Sequence, residues 1–166
     1  MQGSSRTHFD PQGTLTRAQV VTILWRSEGE PTVIFRPAFS DVPYHAPDWC
    51  RDAVIWAYYN DIVQGFSYGT FILNNNITRE PFAAMLHRYA EFAGVSTYVP
   101  STFNLHHFPD RAQLGIWAET YKYWANYKDL IQGVTTGNER WLEPRGTTTR
   151  AQCTLVLMRF FQTFID

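Results

Sequence analysis

Phe71-Ile72-Leu73-Asn74-Asn75-Asn76-Ile77-Thr78-Arg79-Glu80-Pro81 has two near-copies in this chain. They are Phe9-Asp10-Pro11-Gln12-Gly13-Thr14-Leu15-Thr16-Arg17-Ala18-Gln19 and Leu142-Glu143-Pro144-Arg145-Gly146-Thr147-Thr148-Thr149-Arg150-Ala151-Gln152. Each opens an apolar segment with a Leu seven residues after the Arg (Leu24, Leu86, Leu157) and a second Arg nine residues after it (Arg26, Arg88, Arg159). Thr16, Thr78 and Thr149 fit helix N-caps, with Gln19 and Gln152 as capping-box partners. Pro81 replaces that partner in the middle copy, where a first-turn proline is tolerated. Repetition at this length implies a modular array in which no unit buries its hydrophobic face alone. It favours a binding or structural module over a classical enzyme.

The repeat extends upstream. Phe39-Ser40-Asp41 leads into a segment carrying Trp49 and Trp56 and ending at Gln64-Gly65, and Phe108-Pro109-Asp110 leads into Trp117 and Trp124, ending at Gln132-Gly133. Seven-residue spacing puts both rings of each pair on one helical face, and the glycines suit a left-handed C-terminal cap. Loops containing Gly69 and Gly137 then lead to the Thr-Arg helices. The unit is therefore helix, Gly-bounded loop, capped helix. Two units are complete, at about 39–94 and 108–166, and the first, 1–30, lacks its first helix because residues 1–8 cannot hold it. The expectation is one all-α domain over 1–166, with helices near 16–27, 47–62, 78–93, 115–130 and 149–164. Trp-bearing and Thr-Arg helices should pack across repeats, with Trp56 and Trp124 in the core.

Composition narrows the function classes. The aromatic fraction is 16%, which serves core packing and also offers flat rings for stacking on sugars. With a net charge of −1 and no basic run, nothing draws the chain as a whole to nucleic acid or an anionic membrane. No apolar run is long enough for a membrane span, and the opening Met1-Gln2-Gly3-Ser4-Ser5-Arg6 has no signal-peptide character. Cys50 and Cys153 lie far apart without framework spacing and are expected as buried free thiols. The histidines show no metal-ligand spacing, His106-His107 lacking a third partner, and no nucleophile elbow or phosphate loop occurs. Paired carboxylates for glycoside cleavage stay open at this level, since their separation is spatial. No cofactor is implied.

Phe-x-Asp-Val, the Trp-bearing helix, Ile62-Val63-Gln64-Gly65, Gly69-Thr70-Phe71 and Ile77-Thr78-Arg79-x-x-Phe82-Ala83-x-x-Leu86-x-Arg88 together resemble the S-layer homology domain of bacterial surface proteins. The likeness runs from Phe9 to about Phe161. It implies tandem helix-loop-helix motifs about a pseudo-threefold axis, the first here lacking its first helix. It also implies non-covalent anchoring to secondary cell wall polysaccharide, often pyruvylated, at the bacterial surface and as part of a longer secreted protein. The family's motif arginine maps onto Arg17, Arg79 and Arg150, and its Gly-rich turn onto Gly65, Gly69, Gly133 and Gly137.

A pyruvyl ketal carries a carboxylate, which a planar guanidinium can grip through two hydrogen bonds. An Arg just after an N-cap also lies beside the free N–H groups of a helix start. Arg17, Arg79 and Arg150, the loop glycines, and Trp49 and Trp117 form the candidate ligand-binding set. The bland alternative is that each Arg ties neighbouring repeats together. The second arginines, Arg26, Arg88 and Arg159, are explained by helix C-terminal dipoles. Departures from the family pattern, Tyr68 and Thr136 before the loop glycines and a longer third loop, argue against three equivalent grooves. A rival function is a protein-interaction or self-assembly module, with a homo-oligomer or a helix-donating partner completing the first repeat.

Overall fold

The computed structural model describes residues 9–164. Five α-helices follow in order: α1 (Arg17–Ser27), α2 (Asp48–Tyr59), α3 (Arg79–Phe92), α4 (Glu119–Tyr127) and α5 (Arg150–Phe164). Two short 3-10 turns (Arg111–Gln113 and Ile116–Ala118) precede α4. The expectation of an all-α chain needs one correction. The longer third loop folds into an antiparallel hairpin, β1 (Val134–Thr136) with β2 (Glu139–Trp141), paired Val134 to Trp141 and Thr136 to Glu139. Gly137, at φ 63°, supplies the turn conformation a two-residue hairpin loop requires.

The helix starts are capped as their residue types dictate. Thr16 Oγ1 accepts from Gln19 N–H while the Gln19 side chain accepts from Thr16 N–H, and Thr149 and Gln152 exchange the same pair. Thr78 makes no such bond, because the residue three later is Pro81, which has no N–H. The first two N–H groups of α1, α3 and α5 are not free. Arg17 and Ala18 donate to Asn75 O and Leu73 O, Arg79 and Glu80 to Gly146 O and Pro144 O, and Arg150 and Ala151 to Gly13 O and Pro11 O. Each helix start is thus closed by the loop of another copy, which corrects the expectation of exposed anion-binding amides.

Just before these helices the three copies meet. Leu15 N–H donates to Thr148 O (3.3 Å), Thr148 N–H to Ile77 O (3.0 Å) and Ile77 N–H to Leu15 O (2.8 Å), closing a ring of main-chain hydrogen bonds. Bridges Thr14–Thr149, Thr16–Asn76 and Thr78–Thr147 flank it. Outward from this ring, α2 packs on α1 and α4 on α3, so Trp-bearing helices do cover the Thr-Arg helix of the preceding copy. No described helix lies along α5 in that way. Leu155 and Met158 are 42% and 46% exposed, whereas Ala84 and His87 at the same places of α3 are buried.

Helix lengths differ from the sequence reading at three ends. The fourth helix begins at 119 instead of 115, because Gly115 is extended (φ −65°, ψ 135°) with its N–H held by Glu80 Oε1 at 2.7 Å. Trp117 consequently sits in a 3-10 turn. The Trp helices also stop before their glycines. Asp61 (φ 58°) and Asp129 (φ 57°) take the left-handed position just after α2 and α4, four residues short of Gly65 and Gly133. Those glycines answer to packing, and Gly133 also to its left-handed φ of 86°: a Cβ on Gly65 would strike the ring of Phe39, and one on Gly133 the Trp141 carbonyl and the ring of Phe108.

Trp56 and Trp124 are both buried, as their matching places in the repeat require. Truncating Trp124 to Ala should cost about 3–5 kcal/mol of unfolding free energy, readable by urea denaturation. Beside it, Lys122 occupies the position of Val54 and is 1% exposed, its Nζ without a hydrogen-bond partner among the described residues. Burial, and then the nearby Arg79, pull its ammonium down to about 8, against Glu80 and Asp110. Between about 8 and the ordinary 10.5, the unfolded chain holds a proton that the folded chain has released, so stability from this group rises with pH there. Lys122→Met should therefore stabilise the fold below pH 8, with its advantage shrinking from pH 8 to pH 10. A constant gap in denaturation midpoints would contradict this.

Candidate functional site

Among the described residues, two matching cavities lie between copies. The first, of about 240 Å³, is bounded by Arg17, the Gln64-Gly65-Phe66 turn, Met85, Arg88 and Trp117. The second, of about 210 Å³, is bounded by Arg79, the Gln132-Gly133-Val134 turn, Val156 and Arg159. Position by position the second is the first moved along one repeat. In each, a motif arginine from one copy faces the post-helix turn and the second arginine of the next. The sequence reading attributed Arg88 and Arg159 to helix C-terminal dipoles, but neither sits in a last turn and both line the grooves. Arg26 does end its helix, paired with Glu30 at 3.4 Å. The recurring nine-residue interval between arginines was the signal for the groove pair.

All three motif arginines are buried, at 6–7% exposure. Arg17 donates from Nε to Phe71 O and from Nη2 to Gln64 O, both at 3.0 Å, and lies over the rings of Phe66 (4.9 Å) and Phe71 (4.6 Å). Burial, and next the charge of Arg88, lower its guanidinium to about 10, partly offset by Asp41, so it remains a cation at neutral pH. Arg79 pairs with Glu143 Oε2 at 2.8 Å and donates to Gln152 Oε1 at 3.3 Å. Arg150 donates from Nε to Phe9 O at 2.7 Å and lies over the Phe9 ring. Each arginine therefore also ties one copy to the loop of another.

The remaining candidates divide. Gly65 and Gly133 line the two grooves, and Trp117, 55% exposed, stands at the rim of the first. Gly69 and Gly137 line neither: Gly69 O accepts from Ser40 N–H, and Gly137 turns the hairpin. Trp49 is 45% exposed at the start of α2, outside both grooves, as is Arg150.

The loop behind each groove depends on carboxylates to which the sequence reading assigned no role. Asp41 accepts from Phe71 N–H (2.7 Å) and Ile72 N–H (2.6 Å), and Asp110 from Leu142 N–H (2.9 Å) and Glu143 N–H (2.7 Å). Ile72 and Glu143 have positive φ, 60° and 43°, a conformation that costs roughly 1–2 kcal/mol for an L-residue. The paired N–H bonds to one carboxylate offset that cost and present the Phe71 carbonyl to Arg17. Asp41→Ala should lower stability by about 1.5–3 kcal/mol in chemical denaturation, the range for bonds to a charged acceptor. An unchanged midpoint would show that the turn holds itself.

Residues 38–83 match the model of the S-layer homology domain. The chain is 30% identical to an endoglucanase of Bacillus sp. (strain KSM-635), over 93% of this chain and 16% of that protein. It is 27% identical to the surface-layer 125 kDa protein of Lysinibacillus sphaericus, over 96% of this chain and 13% of that protein. An amylopullulanase of Thermoanaerobacterium thermosulfurigenes is also 27% identical, over 95% and 8%. The chain spans no more than 16% of the length of these curated relatives.

Proposed function

We propose that this chain, whose residues 38–83 match the S-layer homology domain, is a non-catalytic cell-wall anchoring module that binds an anionic wall polysaccharide in the grooves between its repeats. The observation carrying this reading is the matched pair of grooves, each bringing together arginines from two copies beside a close-approach glycine turn. Two guanidiniums at one cavity favour a ligand with a carboxylate, such as a pyruvyl ketal, and the Trp117 ring gives a sugar face an apolar surface to stack on. Arg17 and Arg79 join the grooves from one side, with Gly65, Gly133 and Trp117 around them. The ring at Leu15, Ile77 and Thr148 supports a pseudo-threefold arrangement of the three helix starts. Nothing of the hydrolytic names of the relatives transfers, since the match covers 16% of the one and 8% of the other.

A second reading rests on α5. Its exposed Leu155 and Met158 stand where α3 is covered by α4, so a helix from elsewhere or a second chain could complete that face. Light scattering showing a stable oligomer, without retention on any wall fraction, would favour it.

The direct test of anchoring is retention on purified wall polysaccharide with and without its pyruvyl groups. Wild type should be retained on the pyruvylated form and lose affinity when the groups are removed. Arg88→Ala should weaken binding by about ten- to a hundred-fold, equivalent to a lost charge-assisted contact of roughly 1.5–3 kcal/mol, with the thermal transition preserved. Equal retention of both proteins would remove the arginine pair from the site.

A further inference from the structure

Resting on the anchoring reading, we infer that the two grooves differ in kind: the Arg17–Arg88 groove is the carboxylate site, and Glu143 occupies the equivalent place at Arg79 as a built-in competitor.

The difference lies in what already faces each motif arginine. In the first groove Arg17 spends Nε and Nη2 on neutral carbonyls, and its Nη1 has no partner among the described residues. Arg88 donates from Nη2 to Gln64 Oε1 (3.2 Å) and to the Tyr121 hydroxyl (3.0 Å), again neutral groups, and lies over the Tyr121 ring. Neither forms an ion pair among the described residues. Asp41, the carboxylate whose charge acts on Arg17, has its two oxygens engaged by Phe71 N–H and Ile72 N–H. Two cations therefore share a small cavity, one of them buried, with no carboxylate between them. A buried charge left without a counter-charge is costly, and an incoming carboxylate would relieve that cost.

In the second groove the counter-charge is in place. Glu143 Oε2 lies 2.8 Å from Arg79 Nη1, and Gln152 takes Nη2. The fit is close enough that a Cβ on Gly146 would collide with Arg79 Nη1, so the guanidinium is seated within the 143–146 turn. The corresponding turn in the first groove carries Ile72 where Glu143 stands and Asn75 where Gly146 stands. The rim differs as well, since Trp117 borders the first groove and no tryptophan borders the second. A ligand carboxylate would have to displace Glu143 from Arg79, exchanging one ion pair for another, and would gain little.

The experiment is isothermal titration of the protein with a methyl hexoside bearing a 4,6-pyruvyl ketal, beside polysaccharide retention. Wild type should bind one ketal per chain, and Arg88→Ala should weaken that site by about tenfold or more. Glu143→Gln keeps an oxygen acceptor but removes the charge, and should raise the stoichiometry from one to two. Adding Arg159→Ala to it should return the count to one. Two sites in wild type, or a single site surviving Arg88→Ala, would overturn the assignment whether or not Glu143→Gln folds. A count unchanged in folded Glu143→Gln would remove Glu143 from its role. Retention on pyruvylated wall without ketal binding would overturn this inference alone, whereas failure of both would overturn the anchoring reading with it.

Discussion

Three main-chain hydrogen bonds, Leu15 to Thr148, Thr148 to Ile77 and Ile77 to Leu15, set the conditions under which the rest of this structure can exist. All three residues are buried, so their amides and carbonyls have no water to fall back on. A donor in one copy is satisfied only by an acceptor in another, and the same holds for the first two N–H groups of α1, α3 and α5. Removing one copy would strand polar groups in both others. That requirement joins the repeats more firmly than apolar contact, which is non-directional and would tolerate sliding. It also consumes the helix-start amides that would otherwise attract an anion. At these helix starts recognition of an anion therefore falls to side chains.

The closed ring sends strain into the loops that feed it. Asp10, Ile72 and Glu143, the second residue of each copy, all adopt positive φ, at 51°, 60° and 43°. A β-branched residue such as Ile72 does not choose this conformation from local preference. In the two complete copies the carboxylate of the Phe-x-Asp element compensates, taking both N–H groups of the turn at once. The turn in turn places the Phe71 carbonyl against Arg17, so one aspartate links the start of a repeat, its loop and the buried guanidinium of the preceding copy.

Features governed by local chemistry were legible in the sequence. The Thr caps with their Gln partners, the buried Trp56 and Trp124, and the start of each Thr-Arg helix depend on a few neighbouring residues. Features decided by another copy were not. Helix α4 starts late because Glu80, thirty-five residues earlier, holds Gly115 N–H in an extended segment. The glycines at 65 and 133 resembled helix caps, but the chain turns earlier, at Asp61 and Asp129, and leaves those glycines to admit the rings of Phe39 and Phe108. Arg88 and Arg159 were visible as a recurring interval, yet their meaning comes from the arginine that faces each of them across the groove. Periodicity identified them without saying what they would meet.

A backbone fixed this tightly frees individual side chains to diverge without disturbing the frame. At the left-handed position of the three copies stand Asp10, Ile72 and Glu143, with nearly the same φ and different chemistry. The Asp10 carboxylate turns back to its own loop and accepts from Gly13 N–H. Ile72 brings no charge, and the hydrogen bonds of Arg17 go to the carbonyls of Phe71 and Gln64. Glu143 reaches Arg79 and neutralises it. None of these changes touches a ring hydrogen bond, because only main-chain atoms of residues 15, 77 and 148 take part. Repetition in this chain therefore fixes where the arginines stand, and the residue at the left-handed position decides that Arg79 has a carboxylate partner in the neighbouring loop and Arg17 has main-chain carbonyls.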